Sequence, residues 1–214
     1  MNFVALNTSI VVLAQAHNPT ILHPSFLSSE GIVPPDWKPS EPPICTPAIS
    51  LVKYENGIVF TAEMNKLMIL DNAGQSKSDL PELSLKYIEK LPHVHYSAVG
   101  VNITGYCECA NAEEWIMQRF LKPGPGTEAP LKPNAVGLKF VYSIAGAVFN
   151  LTCDAADIQL DGARKIHGLM INGNYHIAVE QENWLKNTKI AIQSFQERLA
   201  HFSETTDIIF GDKC

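Results

Sequence analysis

No apolar run in the chain approaches the roughly 20 residues that a membrane-crossing helix needs, so a membrane-spanning protein is not expected. Basic residues are few and scattered: 16 lysines and arginines stand against 22 acidic residues, for a net charge of −6. Binding a phosphate backbone needs a clustered basic face, and no basic block interleaves with aromatics here, so nucleic acid is not an expected partner. Cysteine is sparse, with five residues at positions 45, 107, 109, 153 and 214. An odd number without framework spacing argues for reduced thiols in a cytoplasmic protein rather than for a disulfide scaffold. The segment from Ile10 to Ala16 has the look of a short signal core. The nine residues before it hold no Lys or Arg, and Asn7, Thr8 and Ser9 interrupt the apolar run, so no signal peptide is expected.

Catalytic and cofactor motifs are missing as well. There is no G-x-S-x-G, so no nucleophile elbow is indicated. Gly124-Pro125-Gly126 cannot cradle phosphate, because Pro125 has no N–H to offer and no Lys-Ser/Thr follows. Asp154, Asp157 and Asp161 lack the alternate spacing of a calcium loop and read as a solvated strand edge. No cofactor is expected. Three glycosylation-type triplets begin at Asn7, Asn102 and Asn150, and two of them fall within expected strands, so they are read as chance.

What is present is apolar patterning. With 46% hydrophobic and 18% charged residues, 214 residues can bury the core of one domain, taken as 1–214. The stretch from Tyr96 to Cys107 alternates with period two: Val99, Val101, Ile103 and Cys107 face one way, and Ala98, Gly100, Asn102, Thr104 and Tyr106 the other. That pattern predicts a central strand. Further strands are expected at Phe3–Ala14, around the Asn56-Gly57 turn, at Leu67–Leu70 and from Val136 to Cys153. Asn56-Gly57 suits a type I′ turn with positive φ at both residues. Between 154 and 179 either Asp161-Gly162 or Asn172-Gly173 can turn the chain; Asp161-Gly162 is preferred, with Gly168 and Gly173 as bulges.

Helical spacing marks Leu80–Leu91, Ala112–Leu121 (with Asn111 and Glu114 as a reciprocal cap) and Gln181–Phe202, with an apolar Ile208-Ile209-Phe210 tail docking back. Pro24 opens a short helix that Gly31 ends. Proline density makes 33–47 an extended arm pinned by Trp37 and Ile44, and 122–134 an exposed loop. No internal repeat is visible. The expectation is an α+β fold: a largely antiparallel, twisted sheet of about six or seven strands, helices on one face and a long C-terminal helix.

Few residues suggest chemistry. Cys107 and Cys109 precede a helix start, where the dipole lowers a thiol pKa, so a thiol-dependent hydrolase or transferase is the enzymatic alternative. His93 and His95 are the alternative metal ligands, but the roughly 40 Å of extended strand separating them from Cys107 and Cys109 opposes a joint zinc site. The terminal seam of Leu185, Ile192, Phe195, Leu199 and Phe202 either covers the sheet or pairs with a second chain. With no catalytic set, the expected function is a non-catalytic cytoplasmic protein-binding or adaptor protein acting as a homo-oligomer, able to take a protein or peptide partner.

Overall fold

The alternating stretch after His95 forms β6 (Tyr96–Glu108), and the rest of the sheet is built outward from it. The computed structural model describes residues 3–73, 78–160 and 164–211. In chain order the elements are β1 (Val4–Ala14), α1 (Pro24–Ser29), β2 (Ile44–Cys45), β3 (Ile49–Lys53), β4 (Ile58–Glu63), β5 (Lys66–Asp71) and α2 (Leu80–Lys90). After β6 come α3 (Ala112–Phe120), β7 (Leu138–Ile144), β8 (Ala147–Gln159), β9 (Lys165–Ala178), α4 (Trp184–Gln193) and α5 (Phe195–Phe210). Among the described residues nine strands, rather than six or seven, form one antiparallel sheet in the order β2-β3-β4-β5-β1-β6-β9-β8-β7. The helices lie on one of its faces.

Side-chain alternation divides the two faces. On the helix-covered side Ile10, Val101, Tyr175 and Phe149 lie in one cross-strand row, each fully buried. Phe149 and Tyr175 stack at 4.3 Å between centroids. Such rows of β-branched and aromatic pairs fix register, since a slip of one residue would turn the set outward. α2 buries Leu80, Leu83, Tyr87 and Ile88, the face its periodicity specified. Its start is tied down by polar groups that the helical pattern did not reveal. Asp71, only 4% exposed, accepts from Ser78 Oγ at 2.7 Å, and Ser78 Oγ accepts from the Leu80 N–H.

Several local expectations are corrected. The Asn56-Gly57 turn is not type I′: only Gly57 has positive φ, at +88°. The Gly57 N–H bonds to Tyr54 O, the Tyr54 N–H to Ile58 O, and Asn56 Oδ1 accepts from the Ile58 N–H. This is a three-residue loop closed by a glycine bulge, which needs one left-handed residue, not two. Gly168 and Gly173 are not bulges, because β9 pairs without interruption on both sides. A Cβ at Gly173 would lie 2.5 Å from the Phe202 ring, and one at Gly168 would strike Cys107 O, so these glycines permit close approach. The long β8–β9 pairing excludes Asn172-Gly173 as a turn; the Asp161-Gly162 tip lies outside the described residues.

The single C-terminal helix is two. Ser194 separates α4 from α5, and its hydroxyl donates to Ala191 O, a local bond that competes with helix continuation. The Ile208-Ile209-Phe210 tail is the last turn of α5, with Phe210 fully buried against Phe120 and Trp115. The Asn111 cap does not form, and Glu114 accepts from Gln118 instead. In the arm, Trp37 packs on Tyr54 at 5.3 Å. Ile44 joins the sheet through the backbone of β2, but its side chain is 47% exposed. Apart from the two-residue β2, which the first half alone carries, the order of elements also repeats: strand, helix, three-strand meander, helix, first as β1-α1-β3-β4-β5-α2 and again as β6-α3-β7-β8-β9-α4. The halves meet where β1 pairs with β6, and their strand orders mirror each other across that line.

Candidate functional site

The residues singled out by the sequence do not converge. Cys107 is buried on the helix side of β6, and burial pushes its thiol up to about 11, away from the thiolate that a nucleophile requires. Among the described residues no hydrogen bond joins its sulfur to an imidazole. Cys109 is disulfide-bonded, contrary to the expectation of a reduced thiol, and is no free nucleophile. Disulfide formation depends on proximity in the fold, which an odd cysteine count does not reveal. Cys45, Cys107 and Cys153 are free thiols. His93 and His95 are exposed in the connection before β6, and the His95 ring lies 5.1 Å from that of Trp184. Among the described residues no group of three or more His, Cys, Asp or Glu is placed to hold a metal ion.

The terminal seam is mostly core. Ile192 and Phe195 are fully buried and Phe202 is 2% exposed within the single chain, while Leu185 and Leu199 are half-buried. What the C-terminal helices leave outside is Ile190, 55% exposed, and Ile208, 79% exposed. Ile190 borders an open groove with Trp184, Lys186 and Lys189. Among the described residues no helix is long and apolar enough to cross a membrane.

One ionic cluster was missed because its members are far apart in sequence. His167 Nδ1–H donates to Asp157 Oδ1 at 2.9 Å, and Nε2–H donates to Glu113 Oε2 at 3.0 Å. Lys165 pairs with the second oxygen of Asp157 at 3.0 Å. The Asp157 and Glu113 bonds raise the His167 pKa, and the same bonds lower those of both carboxylates. The cluster ties the start of α3 to the far ends of β8 and β9. With both ring nitrogens bonded to carboxylates, His167 serves as an ionic clasp between these elements.

The second face of the sheet carries no helix among the described residues. Across its centre Asn150, Asn174, Asn102 and Ser9 lie directly opposite one another on β8, β9, β6 and β1. Asn150 Nδ2 donates to Asn174 Oδ1 (3.4 Å), Asn174 Nδ2 to Asn102 Oδ1 (2.6 Å), and Asn102 Nδ2 to Ser9 Oγ (3.0 Å). In the next row Asn172 donates to Thr152 at 3.5 Å. Period-two spacing placed Asn102 and Asn150 on strands, but only the order of the strands aligns the amides into a relay. Exposed Val141 and Val148, at 59% and 39%, flank it, with half-buried Val11, Met68 and Leu70 further across. No known protein family matches the chain, and no curated protein matches its sequence.

Proposed function

We propose that this is a non-catalytic protein-binding or adaptor protein that works as an oligomer and presents the uncovered face of its sheet. The observation that supports this reading is that face itself: a broad, mixed polar and apolar surface with no helix over it among the described residues. Exposed faces of this extent in soluble proteins mark interaction sites. Light scattering at tens of micromolar tests the oligomer: a species larger than the 23.6 kDa chain is expected, and a strict monomer counts against the reading.

Cytoplasmic residence belongs to the same proposal, and the redox state of Cys109 tests it. Alkylation of intact cells before lysis labels Cys109 if the compartment keeps it reduced. Resistance to alkylation until a reductant is added would place the protein in an oxidising compartment and remove this part of the reading.

A further inference from the structure

The partner for the uncovered sheet face is argued from its charge, its polar groups and its size. The central strands β8, β9, β6 and β1 present no Asp, Glu, Lys or Arg to this side between the Ala98 level and the Thr104 level. A surface meant to stay in water is best about 25–35% charged. Charge returns around this centre, with Lys139 on β7, Lys53, Glu63 and Lys66 on β3 to β5, and Asp154 on β8 and Glu108 on β6 beyond the Thr104 level. A charge-free centre with a charged rim is the anatomy of a protein–protein interface.

Polar groups ordinarily resist this use, because a buried amide without a partner is costly. Here the amides of Asn150, Asn174 and Asn102 already donate along the row to Ser9. One N–H of each amide, and the oxygens of Asn174 and Asn102, are therefore engaged before anything docks, which lowers the cost of removing water. Each chain carries −6, so two copies repel wherever acidic surfaces meet. They can approach closely across the centre of the face, where His176 is the titratable side chain and no Asp, Glu, Lys or Arg is present. A basic partner, by contrast, would find no carboxylate at the centre to pair with.

The size is also appropriate. Six strands spaced about 4.8 Å apart, each about eight residues long at 3.3 Å per residue, cover roughly 750 Å². A standard interface buries about 800 Å² per partner.

We infer that the occupant is a second copy of this chain, the two sheets packing face to face across the Asn150–Asn174–Asn102–Ser9 row to give a sandwich with the helices on its outer sides. This rests on the oligomeric reading above and adds the surface and the partner to it. Twisted sheets pack in this way with strands within about 30° of each other.

Sedimentation velocity on the full chain from 1 to 100 µM tests it, with Asn174→Arg and the more exposed Val148→Arg as face variants and Ile190→Glu as the control on the helix side. The expected result is a wild-type dimer whose association is unchanged or tighter from low to high salt. Each face variant should weaken it at least tenfold while keeping the wild-type circular dichroism, and Ile190→Glu should leave it intact. A dimer that survives both face variants but is lost in Ile190→Glu overturns this inference and leaves the oligomeric reading standing. A monomer across the whole range overturns both and returns the face to a partner of another kind.

Discussion

Gly57 shows how narrowly a turn constrains its residues. With φ at +88°, a side chain there meets the left-handed penalty, so Gly57→Val is expected to cost about 1–2 kcal/mol in urea unfolding. Asn56 carries no such strain. Asn56→Ala should lose only the bond to the Ile58 N–H, about 1 kcal/mol. Two histidines act on stability in opposite directions of pH. His17 is buried and desolvation lowers its pKa from 6.5, so it binds a proton more readily unfolded than folded. Its contribution is present above pH 6.5 and is lost as pH falls toward the depressed value. His167 is raised from 6.5 by Asp157 and Glu113, so its contribution is full below pH 6.5 and is lost as pH rises through the raised value. The melting temperature of wild type should therefore have a maximum near neutrality. His167→Gln should abolish the loss on its alkaline side and His17→Phe the loss on its acidic side down to about pH 5, below which carboxylates take over.

At the level of elements, α5 is set by what lies beneath it. Phe202 meets Phe3 and Phe149, and a Cβ at Gly173 would occupy the space its ring fills. Phe195→Glu and Phe202→Glu are expected to unfold the chain, since burying a carboxylate there costs about 4 kcal/mol or more, a large share of typical domain stability. A folded Phe202→Glu that had merely lost its partner, seen by circular dichroism together with sedimentation, would mean that the residue is interface rather than core. Periodicity made the strands and the buried stripes of α2 and α5 legible, because both follow from side-chain spacing along one segment. The helix break at Ser194, the Ser78 cap and the clasp at His167 were not legible. Each depends on a group placed by a different segment or on a backbone angle that several residue types can adopt. The amide relay lies between these cases. Asn102 and Asn150 were placed on strands and noted as polar, but their alignment requires β6 to neighbour β9 and β9 to neighbour β8, which no local pattern states.

For the whole molecule, the position of β1 governs the order in which the sheet can be completed. It is made before the other strands of the sheet, yet it lies between β5 and β6, so its last neighbour begins at Tyr96. At about 5–20 residues per second, the roughly 80 residues between the end of β1 and the start of β6 take on the order of 4–16 s to make. Once β3 to β5 and α2 have emerged, the first of the two repeated halves has its elements, but one long edge of β1, rich in Val, Ile and Leu, remains bare. A bare edge accepts any strand of matching pattern, including β6 of another nascent copy. The connection from Leu91 to His95 is then the hinge across which two chains can exchange second halves. Refolding from urea at high protein concentration should yield a fraction of such interlocked dimers. They would persist on dilution over hours and ignore Asn174→Arg, whereas rapid dilution to below 1 µM before refolding should give none. The same strand that centres the finished sheet is, during synthesis, its most exposed template.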